Sequence, residues 1–198
     1  MGQTDVIDGR RARGDVTRQT VARAAAMTAT IEGLDSITVG GLAASTGVSK
    51  SGILTVFGTR EAIQIAAVAE ARRLYREWVI APAWDEPAGV ERLTALVEHW
   101  VAYAKAGRFP GGCFVAATSV EFGHREGPVA ESVQRLKREW LDLLEADLAV
   151  ARSASPADDA FRIDSYLNMG NTRHQLYGDV AEIDRAARLA LDIIRTPR

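Results

Sequence analysis

The sequence predicts an all-α fold, an N-terminal three-helix helix-turn-helix followed by a larger helical domain, and three observations carry that prediction. Apolar residues recur at spacings of three and four along most of the 198 residues, the signature of helices with one buried face. No alternating strand pattern of useful length appears. Glycines cut residues 15–60 into three short periodic segments, with Gly47 at the break between the second and third.

Residues 1–14 mix Gly, Asp and Arg without periodicity and are read as a flexible arm. Its Arg10, Arg11 and Arg13 suit a minor groove as well as a solvated tail. From Asp15 the pattern turns helical, with Val21, Ala24, Ala25, Thr28 and Ile31 on one face and Gly33 as the stop. Thr38 is placed to cap a short second helix with Val39, Leu42 and Ala43 inside. Its third helical position is Gly41 rather than Glu or Gln, and Gly40 lies beside it. Each glycine costs about 1 kcal/mol of helix stability relative to alanine, so packing has to hold this segment. Ser49 caps a third helix with Ile53 and Phe57 inside and Gly58 at its end. In such an arrangement the last helix lies in the DNA major groove.

Residues 61–198 continue as longer helices. One runs from Glu61 to about Ile80 and stops before Pro82, and the next carries Val90, Leu93, Val97, Trp100 and Ala104. Cys113 to Ala116 form an apolar segment read as a short buried helix, and Pro128 opens another that reaches about Ser153. Two more follow, Phe161 to Tyr177 and a final one with Val180, Ile183, Ala187, Ala190 and Ile194 on one stripe.

Composition narrows the function classes. With 47% hydrophobic and 25% charged residues the chain is neither disordered nor fibrous. No run of about 18 apolar residues marks a membrane span, and the opening residues lack the apolar core of a signal peptide, so the reading places the chain in the cytoplasm. A single cysteine, Cys113, and three scattered histidines argue against a disulfide framework and against a metal site, and no cofactor is expected. Glycine-rich phosphate loops, His-Glu-x-x-His and Gly-x-Ser-x-Gly are all missing from the sequence, which speaks against an enzyme. Residues 1–60 hold seven Lys/Arg against five Asp/Glu, while the rest holds 17 against 21. The slightly basic front end is compatible with nucleic acid.

Thr38 to Ile63, TVGGLAASTGVSKSGILTVFGTREAI, resembles the DNA-binding segment of the TetR family of transcriptional regulators, matching at Thr38, Leu42-Ala43, Gly47-Val48-Ser49, Ile53, Phe57, Glu61 and Ile63. The family tyrosine that touches a phosphate is Leu54 here, which offers only an apolar contact such as one to a thymine methyl. The family lysine at the start of the fourth helix is Arg60, and the large apolar pair near the end of the first is Thr28-Ala29. Gly111 to Val129, GGCFVAATSVEFGHREGPV, resembles a stretch found in part of the same family.

The resemblance implies a DNA-binding domain over 15–60 and a helical ligand-binding and dimerisation domain over 61–198. It implies a homodimeric repressor on a palindromic double-stranded DNA operator, released by a small-molecule effector, with no membrane partner. Ser49, Lys50, Ser51, Gly52, Leu54 and Thr55 then face the major groove, while Thr38 and Arg60 meet phosphates. The dimer is expected through the last two helices, where Gly170 permits close approach and the Val180 to Ile194 stripe needs cover; packing inside one subunit satisfies that stripe equally. Trp100, Tyr103, Phe114, Trp140 and Tyr166 are the pocket candidates, with core packing as the alternative for each. Cys113 reads as a small buried hydrophobe or a redox sensor, and His99 and His174 as helix-edge or interface groups or as pH-responsive ones. Glu121 and His124 stand at hydrogen-bonding distance along a helix, or form a solvated pair. The competing reading is an all-α ligand-binding or interaction module with weak or lost operator binding.

Overall fold

The structure, a computed structural model, describes residues 4–196, with side chains from residue 14 onward. All regular elements among the described residues are helical. They are α1 (Thr4–Glu32), a 3-10 turn (Leu34–Ser36), α2 (Val39–Thr46), α3 (Lys50–Phe57), α4 (Arg60–Tyr75), a π-helical turn (Arg76–Ile80) and α5 (Ala81–Ala83). Then come α6 (Val90–Lys105), α7 (Phe114–Phe122), α8 (Pro128–Val150), α9 (Pro156–Tyr177) and α10 (Ala181–Arg195).

Helix α1 packs on α2, α3 and α4 through a small-residue face of Val21, Ala22, Ala25, Ala26 and Ala29. Small side chains let the short α2 and α3 approach its backbone, so Leu34, Ile37, Leu42, Ile53 and Ile63 close the space with almost no exposure. Helix α8 lies against α4, α6, α7 and α9, and α10 against α6 and α9. The core runs without interruption from one part to the other.

Four sequence expectations shift. Helix α1 begins at Thr4, so the expected arm enters the first helix instead of preceding it, since extending a formed helix costs far less than nucleating one. The side chains of Arg10, Arg11 and Arg13 lie outside the described residues. On α1, Ile31 points outward at 65% exposure, because the close neighbour at this end is the backbone of the α6–α7 loop, admitted by Thr30 and Gly111. Pro82 does not stop the fourth helix. The π turn shifts the hydrogen-bond register, and the proline falls in the first turn of α5, where its missing N–H is not needed.

The fourth difference concerns the last two helices. A Cβ on Gly170 would sit 2.4 Å from the Ala186 Cβ and 3.0 Å from the Glu182 carbonyl, so the close approach is α9 to α10 of the same chain. Ile183, Ala187, Ala190 and Ile194 are buried in that contact and against α6. Packing within the subunit covers the stripe except at Val180, which is exposed; also uncovered is the other side of α9, with Phe161, Met169, Leu176 and Tyr177 each more than half exposed.

Candidate nucleic-acid interface and small-molecule cavity

Local chemistry builds the helix-turn-helix. The Thr38 hydroxyl accepts the Gly41 N–H at 3.0 Å, and the Ser49 hydroxyl accepts the Gly52 N–H at 3.1 Å, so both short helices carry side-chain caps. Gly47 adopts φ +73°, a left-handed conformation that turns the chain between them while its N–H closes on the Ala43 carbonyl. Ile53 and Phe57 anchor the inner face of α3. From α1, Arg18 donates to the Val56 carbonyl at 2.8 Å and lays its guanidinium over the Phe57 ring, fixing the end of α3.

The outer face of α3 presents Ser49, Lys50, Ser51, Leu54 and Thr55, all exposed, with Gly52 half-buried beneath them. Lys50 is the only cation of α3 and forms no ion pair among the described residues. The Thr55 hydroxyl donates to the Ser51 carbonyl at 2.8 Å, which leaves its methyl and oxygen lone pairs outward. Leu54 is 47% exposed, an apolar tip where a phosphate contact would need a donor.

Arg60, expected to meet phosphate, also makes a contact within the chain. Its guanidinium closes on Asp35, on Oδ1 at 2.6 Å and on the backbone carbonyl, and Arg125 reaches the second oxygen of Asp35 at 3.0 Å. Both Arg60 contacts use one nitrogen, Nη2, of a side chain that stays about half exposed. Arg60 first, then Arg125, hold the Asp35 carboxyl below the usual range. Glu121 does not pair with His124: its two oxygens accept the backbone N–H groups of Leu34 and Asp35, each at 2.7 Å. Gly111 seats the α6–α7 loop directly on the end of α1, its N–H donating to the Thr30 hydroxyl at 3.1 Å.

A cavity of about 630 Å³ opens between α4, the π turn, α6, α8 and α9. Of the expected aromatics, Trp100 and Trp140 are on its wall, whereas Tyr103, Phe114 and Tyr166 are not. Tyr103 and Phe114 are buried behind it, Tyr103 packing edge-on against Tyr75 at 5.5 Å and against Phe109. Tyr166 lies on another face of α9 from the wall residues Asp164, Leu167 and Asn168. Sequence missed Tyr75, Arg76, Lys137 and Asp164, because charged and polar residues on separate helices give no local signal of convergence. Asp164 accepts from Lys137 on both oxygens (2.6 and 2.5 Å), from Trp140 Nε1 at 3.1 Å and from Asn168 Nδ2 at 2.9 Å. Arg72 pairs with Glu139 at 2.5 Å.

Cys113 is not sealed in the core; it is half-buried, caps α7 and faces the cavity. Desolvation pushes its thiol and the Tyr75 hydroxyl upward, so both stay protonated. The α7 helix therefore begins on the cavity wall, at Cys113 and Val115, and ends with Glu121 on the helix-turn-helix. His99 and His174 are half-buried, and His174 Nδ1 has no hydrogen-bond partner among the described residues. Among the described residues there is no group of three His, Cys, Asp or Glu placed to hold a metal ion, and no single helix is long and apolar enough to cross a membrane.

An exposed recognition helix on a capped helix-turn-helix, joined to a helical domain with a deep cavity, defines a DNA-binding regulator with a small-molecule site. Residues 89–190, just over half of the chain, match the family model for the tetracyclin repressor-like C-terminal domain, and the chain belongs to the TetR family of transcriptional regulators. Solved structures share the fold. A TetR regulator from Chloroflexus aurantiacus superposes with a TM-score of 0.82 at 21% identity, over 93% of this chain and 97% of that one. One from Agrobacterium tumefaciens gives 0.80 at 17% identity, over 91% and 98%. AibR, in complex with isovaleryl coenzyme A and operator DNA, gives 0.69 at 19% identity, over 91% and 99%. No curated protein matches the chain. Members of the family bind operators and small-molecule effectors as dimers.

Proposed function

We propose that the protein is a repressor that binds a palindromic operator as a homodimer and releases it when a small molecule fills the cavity. The observation that carries this reading is the continuity of α7, whose first turn is cavity wall and whose last turn holds the segment leading into α2 through Glu121. A ligand that displaces Cys113 or Val115 tilts α7 and, through Glu121, moves the 3-10 turn that sets Thr38 and the recognition helix. The ligand's differential affinity for the two positions sets the extent of release.

In this reading Lys50 donates to a guanine edge, Leu54 and the Thr55 methyl meet thymine methyls, and Thr38, Ser49 and Ser51 approach the backbone and bases. Arg60 positions the turn through Asp35 and turns only its free N–H groups to phosphate. The exposed face of α9, Phe161, Met169 and Leu176, joins two copies, with α10 supporting it from behind. Two recognition helices then lie about one DNA turn apart. AibR, in complex with isovaleryl coenzyme A and operator DNA, supports the reading on a similar fold.

The test is capture of source-genome fragments by the purified protein at moderate and high salt. A short palindrome retained through the salt increase supports specific regulation. Sequence-blind retention that vanishes with salt is phosphate attraction alone and overturns the reading.

A further inference from the structure

The cavity wall carries six ionisable side chains, three of each sign: Arg72, Arg76, Lys137, Asp85, Glu139 and Asp164. Four of them are already closed into the Arg72–Glu139 and Lys137–Asp164 pairs. The Asp164 carboxylate is saturated by four donor contacts from Lys137, Trp140 and Asn168, so it cannot serve as counter-ion to a bound cation without abandoning Lys137. Arg76 and Asp85 have no ion-pair partner among the described residues, so the wall keeps one free guanidinium and one free carboxylate.

The neutral groups supply the donors. Tyr75 lies on the wall with its ring held edge-on between Tyr103 and Trp140, both centroids at 5.5 Å, and its hydroxyl has no protein partner among the described residues. Cys113 beside it adds a second neutral donor. The wall also carries apolar and aromatic residues, among them Trp100, Trp140, Leu136 and Leu167. A volume of about 630 Å³ suits a drug-sized molecule.

We infer that the cavity takes a flat apolar molecule of one to three rings that carries a hydrogen-bond-accepting oxygen, as a ketone or a carboxylate, seated against Tyr75. The inference rests on the reading of this cavity as the effector site. It names the class of effector: the oxygen accepts from Tyr75, the rings replace water along the two indoles, and a carboxylate gains Arg76.

The experiment uses four probes with one body: naphthalene, 2-acetylnaphthalene, 2-naphthoate and 2-naphthyltrimethylammonium, titrated into the full-length protein and read by quenching of tryptophan fluorescence and by calorimetry. The ketone and the carboxylate are expected to bind about tenfold more tightly than naphthalene, which lacks the accepting oxygen. Tyr75→Phe is expected to weaken those two by about tenfold, roughly the worth of one hydrogen bond, while naphthalene binds the variant as it binds the parent, which shows the cavity intact. Tightest binding of the ammonium probe, an unchanged ketone affinity in Tyr75→Phe, or no binding by any probe overturns the inference. Operator release is followed in parallel. Release by the ammonium probe alone keeps the effector reading and sinks this ligand class, whereas tight ketone binding without release keeps the ligand class and sinks the effector reading.

Discussion

Glu121 Oε2 lies 2.7 Å from the backbone nitrogen of Leu34, a hydrogen bond across 87 residues that ties the last turn of α7 to the segment between α1 and α2. Its other oxygen takes the neighbouring N–H of Asp35, so one carboxylate satisfies two donors at the start of the 3-10 turn.

Replacing that carboxylate separates the cavity from the DNA-binding segment. Glu121→Ala is expected to cost about 1 to 3 kcal/mol of stability, the worth of charge-assisted hydrogen bonds to half-buried N–H groups, and to blunt effector-driven operator release more than effector binding. Urea unfolding and anisotropy titrations with and without effector measure the two. Full release in a destabilised variant would place the coupling elsewhere, along α4.

Lys50 is the cation of the recognition helix, exposed and unpaired among the described residues. Lys50→Ala is expected to weaken operator binding by about 1 to 3 kcal/mol and to leave the oligomeric state alone. Fluorescence anisotropy with a labelled operator checks the first and sedimentation the second; equal affinity would remove Lys50 from the contact set.

Gly111 has no room for a side chain, because its Cβ would fall 1.8 Å from the Thr30 carbonyl oxygen. Gly111→Ala must push the loop off α1, at a cost of about 1 to 3 kcal/mol, or roughly 2 to 12 °C in Tm for a chain of this size. Gly14→Ala on α1 is the control: nothing stands within 4 Å of its Cβ, and the helix should gain about 1 kcal/mol or less. Calorimetric melting points that fall equally in both variants contradict the close approach.

Leu176, 70% exposed, sits with Phe161 and Met169 on the uncovered side of α9. Leu176→Glu is expected to yield a folded monomer with unchanged helicity and lost palindrome binding, since one recognition helix cannot span two half-sites. A dimer that persists in analytical ultracentrifugation would move the interface to another face.

Asp35 gives the acid dependence. Its carboxyl is held below the usual value by Arg60 and then Arg125, so the ionised form binds the fold more tightly than it binds the unfolded chain. The resulting stability is fully present above about pH 4 and is lost as the pH falls through the lower folded value. Asp35→Asn should therefore lower the urea midpoint at pH 6, with the gap to the parent protein shrinking below about pH 4. A gap that widens on acidification would reverse the assignment.

The helix-turn-helix was legible because its determinants are local. Thr38, Ser49, Gly47 and Gly58 act within three or four residues of themselves, through caps and a left-handed turn, and the structure returns them in those roles. The family resemblance over Thr38 to Ile63 agrees with the match of residues 89–190 to the family's C-terminal domain. The cavity was legible only in part. Trp100 and Trp140 stood out as aromatics, but the same signal brought in Tyr103, Phe114 and Tyr166, since periodicity marks a buried face without saying whether protein or empty space lies opposite.

Sequence alone determined the all-α class and the capped three-helix unit, because helix periodicity, caps and glycine turns are written over spans of a few residues, while the resemblance of Thr38 to Ile63 pointed to the family. Tertiary structure decided the rest: that Arg60 serves Asp35, that Glu121 holds the turn at Leu34, that Gly170 receives α10, and that Tyr75, Lys137 and Asp164 meet at one cavity. Each of those choices joins groups on different helices. Their partners are selected by how helices pack, and by which buried donors and acceptors still need satisfying once they have packed.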